Sequence, residues 1–432
     1  MNRVLTLLMA GGRGTRLSVL ANRRAKPAVP FGGIYRIIDF TLSNAMHSGV
    51  TQIGIVTQYR PYSLVDHVGL GEAWGFAGFG RKCKVLAPHT SEEYASFYEG
   101  TGDAIFRNIE FIERFSNVSE VLILSGDHIY RMDYRPMLEL HRAKGAAVTI
   151  ATQEVPWEET SRFGLMISDE QGIIRQFQEK PKSHPLSNRA SLGIYIFNRE
   201  ALVEYLQRDQ EDPDSNHDFG GDIIPRIIYA ETACEYPFDG YWRDVGTIQS
   251  YYDTSMEALD PESGLELARW GVRTNHQQIP LAHQHPARLA RGARVERSII
   301  SKGTVIEGEV IDSVLSPGVR VAAGARVHRS ILLHNVQVGE GCHLDNVIVD
   351  KHGVLERDVR IGDPELGDQV NQHKPELLFT GTSVIGKNSR IGRGVRIGRN
   401  CLIFPQVVVE EAPGNTIESG RTIFFAEVGE HV

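Results

Sequence analysis

Near the end of the chain, the 24-residue run "IGKNSRIGRGVRIGRNCLIFPQVV" leaves little freedom in how it can fold. Ile385, Ile391, Ile397 and Ile403 recur every six residues, and four residues after each comes Ser389, Val395, Cys401 or Val407. A helix repeats its apolar positions at three and four and a single strand at two, so neither generates a lasting period of six. Six residues make one flat face of a parallel β-helix, with the aliphatic residue pointing inward and a small residue at the crowded corner. Weaker matches surround Val321, Val327, Val338 and Leu344, and "DPELGDQVNQHKPELLFTG" breaks the register and is expected to loop out.

The first half has a different grammar. "VLTLLMA", "QIGIVTQ", "VLILSGD" and "AVTIATQEV" are short β-rich runs separated by segments of helical length, which predicts a parallel α/β sheet. Loops at the carboxyl ends of such strands are where ligands bind, and "AGGRGTR" and "SGDHIY" fall there. At 432 residues the chain exceeds a usual single core, so two domains are expected. The boundaries read as 1–265 for the α/β domain, 266–286 for a linker and 287–432 for the β-helix.

The stretch "LLMAGGRGTRLSVL", Leu7 to Leu20, puts three glycines and two arginines in a turn behind an apolar strand. Bare backbone N–H groups with adjacent cations suit a phosphate. Gly12-Arg13-Gly14-Thr15-Arg16-Leu17 lacks the third glycine of a dinucleotide fingerprint, and no P-loop sequence is present. Taken alone, a chain reversal beside solvated arginines explains the stretch equally well. A net charge of −8, from 46 basic and 54 acidic residues, argues against a nucleic-acid partner but not against a small anion held in a cationic cleft. Cys83, Cys234, Cys342 and Cys401 form no C-x-x-C pair, so zinc and disulfide frameworks are not expected. The apolar N-terminus is too short to span a membrane. The expectation is a soluble, cytoplasmic protein with no membrane partner.

Ten segments in order, with the hexapeptide tail behind them, are similar to one family. They are "AGGRGTRL", "RRAKPAVPFGGIYRIIDFTLSN", "TQYRPYSLVDH", "YEGTGDAI", "SGDHIYRMDY", "FGLM", "FQEKP", "SLGIYIF", "HDFGGDIIP" and "YWRDVGT". Together they resemble the ADP-glucose pyrophosphorylases, or glucose-1-phosphate adenylyltransferases. The resemblance implies a Rossmann-like nucleotidyltransferase domain of α/β class, followed by a left-handed parallel β-helix that serves regulation and assembly. It also implies conversion of ATP and glucose 1-phosphate to ADP-glucose and pyrophosphate, the committed step of bacterial glycogen synthesis. The sugar phosphate oxygen would attack the α-phosphorus in line, a reaction that needs positioning and positive charge rather than a covalent intermediate.

Residue by residue, the resemblance implies that Gly11, Gly12, Gly14, Thr15 and Arg16 hold the triphosphate, while Arg13, Arg16 and Lys26 neutralise the departing charge. It places Mg²⁺ on Asp127 and Asp244. For Asp127 taken alone, a helix cap would be the ordinary reading. Two carboxylates with phosphate oxygens and water are chemically sufficient for Mg²⁺. Lys180 would bind the sugar phosphate and Glu179 a glucose hydroxyl, where an exposed Glu-Lys pair is the bland alternative. Tyr98, Gly164, Ser191, Gly193, Trp242 and Asp244 complete the implied glucose 1-phosphate pocket, and Gln58, Gly100 and Thr101 lie in segments assigned to the nucleotide. Tyr98 and Trp242 could equally be core residues. Where the family often has "RGTADA", this chain has Glu99-Gly100-Thr101-Gly102-Asp103, a departure that bears on effector response.

Arg23 and Arg24 add two cations beside Lys26 and suggest a second anion site, for which the resemblance implies an allosteric glycolytic intermediate. A homotetramer is implied on the same ground. Three rival readings remain: a nucleotidyltransferase using another triphosphate, a non-catalytic regulatory subunit, and an acyltransferase using His328, His334, His343 or His352 as base. The histidines are read as exposed turn residues.

Overall fold

The structure is a computed structural model that describes residues 1, 3–88, 97–276, 284–410 and 415–425. Residues 277–283 of the expected linker lie outside the described residues. The chain divides into two compact units, one of Met1–Gly12 with Ile38–Trp242 and one of Arg13–Ile37 with Arg243–Val432.

The first unit is built on one nine-stranded sheet. Its strands are β1 (Val4–Met9), β2 (Gln52–Val56), β3 (Lys82–Leu86), β4 (Glu120–Ser125), β5 (Val148–Glu154), β6 (Gly164–Ser168), β7 (Ile174–Glu179), β8 (Arg189–Asn198) and β9 (Ala233–Pro237). Seven run in the order β7-β6-β8-β4-β1-β2-β3, and β5 also pairs β8 and carries β9. The expected parallel arrangement holds for β4, β1, β2 and β3. It does not hold throughout, because β8 runs antiparallel to both β4 and β5 and makes the sheet mixed. Hydrophobic alternation along a strand fixes which face is buried but carries no direction, so the sequence pattern could not reveal this. Leu5, Leu7, Val121 and Ile123 face one side and pack into a core with Phe111, Ile150, Phe197 and Ile223.

The register of β1 and β4 sets the position of the site. Met9 is paired with Ser125, so the glycine turn after β1 and the segment after β4 leave the sheet at the same level. Gly126 N–H donates to Met9 O at 3.0 Å, and Ala10 N–H to Val56 O at 2.8 Å. A Cβ on Gly126 would lie 2.6 Å from Leu8 Cδ2, so the close approach of these strands requires glycine there.

The second unit contains a left-handed parallel β-helix of three seven-stranded parallel sheets, with strands of two or three residues from Arg288–Leu289 to Thr422–Ile423. The six-residue period lies along its core: Ile385, Ile391, Ile397 and Ile403 are fully buried, as are Val395 and Cys401, with Ser389 and Val407 nearly so. Stacked coils pair Ile361 with Ile397 and Ile385 with Ile403. The expected interruption sits between the strands Arg360–Ile361 and Ser383–Ile385, where a short 3-10 turn (Pro364–Leu366) begins an excursion. Buried asparagines tie that excursion down: Asn371 Nδ2 donates to Asn400 O at 2.9 Å, and Asn400 Oδ1 accepts Gly381 N–H at 2.7 Å. Its polar backbone is thereby satisfied without sheet pairing.

Candidate active site

In the first unit, the ends of β4, β6, β7 and β8 surround a cavity of about 220 Å³ lined by Gly164, Glu179, Lys180, Ser191, Gly193 and Thr101, together with Ser125 and Asp218. Five of these residues belong to the expected sugar-phosphate pocket, and the topology brings them together from segments spread over the sheet. Glu179 ends β7, and its carboxylate sits in a slot that glycine makes possible. A Cβ on Gly164 would lie 2.8 Å from Glu179 Oε2, and one on Gly220 would lie 2.3 Å from it. Lys180 follows with φ of 40°, a left-handed conformation unusual for lysine, and its ammonium pairs with the Glu179 carboxylate. The Lys180 side chain is otherwise 60 % exposed, so the cation stands at the mouth of the cavity.

Tyr98 and Trp242 do not line this cavity. Trp242 packs edge-on against His128 and Phe163, with ring centroids 4.9 and 5.7 Å away, and so forms a wall behind it. Tyr98 is in the core, where its hydroxyl accepts Asn108 Nδ2 at 3.1 Å and its carbonyl accepts Gln58 Nε2 at 3.1 Å. Gln58 in turn touches the glycine turn: a Cβ on Gly11 would lie 3.1 Å from its Cβ, whereas Gly12 opens on empty space.

Asp127 follows β4 and is 30 % exposed; it accepts a hydrogen bond from Ser125 Oγ and lies 3.4 Å from His128 Nε2. Thr101 and Gly100 join the same region by an unexpected route. Thr101 Oγ1 donates to Asp218 Oδ2 at 2.8 Å, and Asp218 caps the turn at Phe219–Ile223 by accepting Gly220 and Gly221 N–H groups. Gly102 N–H donates to His217 O at 2.7 Å, and a Cβ on Gly100 would lie 2.2 Å from that oxygen. Asp218 and Gly220 lie in "HDFGGDIIP" with no role expected of either; an aspartate two residues before a glycine pair is itself a cap signal. Tyr195 joins the site without any expectation from the sequence. It lines the cavity, its hydroxyl lies 3.2 Å from Ser191 Oγ, and burial pushes its pKa up, which keeps it a neutral hydroxyl.

The second unit holds the remaining cations. Gly14, at φ of 63°, packs where a Cβ would lie 3.0 Å from both Ala21 Cβ and Lys26 Cβ, so the turn folds tightly onto the lysine. Lys26 is buried, and its ammonium lies 3.1 Å from Asp244 Oδ1. A Cβ on Gly246 would lie 2.8 Å from that carboxylate oxygen and 3.0 Å from Arg16 Nη2, so Arg16, Lys26 and Asp244 converge. Arg13 and Thr15 are exposed. Among the described residues no group of three or more His, Cys, Asp or Glu side chains is placed to hold a metal ion.

Arg23 and Arg24 differ sharply. Arg23 is exposed, with Nη2 donating to Gln406 Oε1 at 2.5 Å, whereas Arg24 is buried on Asp350 at 2.6 Å. Arg24 Nη1 has no hydrogen-bond partner among the described residues. Burial, then the charges of Arg36 and Arg24, push the Lys351 pKa well down; burial and Arg24 also lower that of Lys387. His334 belongs to this cluster and is half-buried rather than an exposed turn residue, its pKa lowered by burial and then by Lys351. His328 and His343 are also half-buried, and His352 is exposed.

A glycine turn and an aspartate thus leave one sheet at the same level, beside a cavity ended by a Glu-Lys pair. Residues 5–261 match the nucleotidyl transferase family and residues 281–376 the GlmU-like, C-terminal hexapeptide family, so the chain is an enzyme of the nucleotidyltransferase class. It is 44 % identical over 429 residues to a glucose-1-phosphate adenylyltransferase of Thermomicrobium roseum, covering 98 % of each chain. It is 43 % identical to one of Thermotoga neapolitana (99 % and 100 % covered) and 40 % to one of Acetivibrio thermocellus (97 % of each). The chain belongs to the glucose-1-phosphate adenylyltransferase family.

Proposed function

We propose that this chain transfers the adenylyl group of ATP to glucose 1-phosphate, releasing pyrophosphate and forming ADP-glucose, the donor for bacterial glycogen synthesis. The observation that carries the reading is the Glu179 carboxylate, slotted between Gly164 and Gly220 with Lys180 at the cavity mouth. A carboxylate accepts sugar hydroxyls and an ammonium takes a phosphate, so the pair can hold the two ends of a sugar phosphate. Ser191 and Gly193 line the same cavity, and Trp242 backs it. Gly11, Gly12 and Gly14 offer backbone donors to the triphosphate, with Thr15, Gln58, Gly100 and Thr101 completing the nucleotide site. Arg13, Arg16 and Lys26 offset charge on the departing pyrophosphate.

The donor set suits Mg²⁺. Asp127 supplies a partly exposed carboxylate, and the ion asks for only one or two carboxylates besides phosphate oxygens and water. Asp244, already paired with Lys26, would be the second. When bound, the ion would draw charge from the phosphate oxygens. Residues 1–265 serve catalysis in this reading, and 287–432 regulation and assembly into a homotetramer. No helix among the described residues is long and apolar enough to cross a membrane, in keeping with a cytoplasmic enzyme.

An anionic effector completes the reading. Arg24, Arg36, Lys351 and Lys387 gather around one carboxylate, Asp350, and like charges so placed repel unless an anion joins them. Arg24 Nη1, unpartnered among the described residues, is a buried donor for it. The reaction is tested by incubating the protein and glucose 1-phosphate with ATP, UTP, dTTP or GTP separately and weighing the products. ADP-glucose forming with ATP alone is expected; a different nucleotide sugar, or none, would overturn it.

A further inference from the structure

The second unit contains a larger cavity, about 690 Å³, that the reaction does not use. Its walls are apolar, with Ile34, Leu259, Leu267, Ile299 and Ile300 prominent. Gly32, at φ of 56°, sits so close to Leu267 that a Cβ would lie 2.9 Å from its Cδ1, which seals the wall on that side. This volume is in the range of small-molecule sites, which are mostly apolar with a few placed polar groups.

Among the polar groups of the lining, two adjacent in sequence stand on one wall. Ser301 is 6 % exposed, and its hydroxyl has no hydrogen-bond partner among the described residues. Lys302 is half-buried on the same wall and makes no ion pair or side-chain hydrogen bond among the described residues. The other charges at the rim are already satisfied or solvated. Arg269 pairs with Glu266 at 2.8 Å, and the exposed Asp260 accepts Glu262 N–H at 2.9 Å. An ammonium and a hydroxyl donor at an apolar cavity complement one small acidic head on an apolar body.

We infer that this cavity binds a small amphipathic carboxylate, its apolar chain against Leu259, Leu267 and Ile300 and its head on Lys302 and Ser301. The inference does not depend on the reaction proposed above. A polar sugar phosphate would leave its hydroxyls facing the aliphatic walls, so the site discriminates against the substrates.

The fluorescence of 8-anilinonaphthalene-1-sulfonate on the full chain reads the cavity, with octanoate, octan-1-ol and inorganic phosphate as competitors. Octanoate displaces the probe, octan-1-ol does so at least about tenfold more weakly, and phosphate fails, because one charge-assisted hydrogen bond is worth that ratio. Lys302→Gln weakens octanoate about tenfold. Ala268→Trp, which adds bulk at the exposed rim, abolishes the displaceable signal, and both variants keep wild-type turnover. Equal competition by octanoate and octan-1-ol, or octanoate competition unchanged in both variants, overturns the inference. So does sedimentation showing that Ala268→Trp weakens self-association while the native protein takes up no probe, because the cavity's occupant is then a second copy of the chain.

Discussion

Lys26 Nζ lies 3.1 Å from Asp244 Oδ1, and neither side chain is more than 8 % exposed. Each charge is tolerable out of water because the other is beside it. Removing one partner should destabilise the fold by about 3–5 kcal/mol, while replacing both with apolar residues should recover much of the loss. Asp244→Ala and Lys26→Met are therefore each expected to lower the urea midpoint, and Lys26→Met/Asp244→Leu to raise it again without restoring turnover. A double variant no more stable than either single one would show that the two charges are not coupled.

The glycine slot around Glu179 makes a separate prediction. Gly220→Ala would put a methyl group 2.3 Å from the carboxylate oxygen and displace it from the cavity. The KM for glucose 1-phosphate should rise by about tenfold or more with little change in the KM for ATP, the pattern of lost ground-state binding. Lys180→Ala should behave alike, at about 1.5–3 kcal/mol for one charge-assisted hydrogen bond. Steady-state kinetics with each substrate varied checks both, and a defect confined to ATP contradicts the assignment.

Asp127→Asn keeps the shape and the contact with Ser125 but removes a charge. If that carboxylate anchors Mg²⁺, kcat should fall by about 10²–10³-fold, as for loss of one preorganised electrostatic stabiliser. The melting temperature should hardly move, since the side chain is partly solvated. Near-normal turnover at saturating Mg²⁺ would remove Asp127 from the site.

Stability should fall as the pH drops below neutral, and His141 supplies part of the reason. It is buried 2.9 Å from Thr149 Oγ1, and burial lowers its pKa from 6.5 to about 4. The unfolded chain then binds a proton that the folded one refuses, so stability is highest above pH 6.5 and is lost progressively toward pH 4. For this one group the loss amounts to about 3 kcal/mol at the lower end. Denaturant unfolding at pH 7 and pH 5 should show a shallower pH dependence in His141→Gln than in the unmodified protein. Equal slopes would assign the effect elsewhere.

The β-helix was legible because a six-residue period has one structural solution, and the buried Ile385, Ile391, Ile397 and Ile403 are its direct result. The strands β1, β2, β4 and β5 were legible from their apolar runs. The reversed direction of β8 was not, and no local pattern announces that Arg13–Ile37 packs with residues from 243 onward. The site divides in the same way. Glu179 and Lys180 could be read from "FQEKP", but the Thr101–Asp218 hydrogen bond joins segments 117 residues apart and becomes visible only in the fold. The Lys26–Asp244 contact, across 218 residues, is of the same kind.

The contrast between the neighbouring arginines gives the last prediction. Arg24 is fixed on Asp350 in the interior, so Arg24→Ala would strand a buried carboxylate and confuse binding with stability. Arg23 is exposed, and its charge is among those that lower the Lys387 pKa, which places it at the edge of the same cationic group. Its hydrogen bond to Gln406, a neutral partner, leaves the guanidinium charge available to an anion. An effector that shifts an equilibrium through this cluster should act with a coupling of about 1–3 kcal/mol, and the coupling should shrink when one of its cations is removed. Arg23→Ala is therefore expected to lose activation by fructose phosphates or pyruvate while turnover without activator stays close to wild type. Arg23→Lys should retain part of the response, because it keeps the charge but not the bidentate fork. Activation curves for the three proteins decide the matter: identical curves, or no activation of the unmodified protein by any of these anions, would return Arg23 to an ordinary surface role.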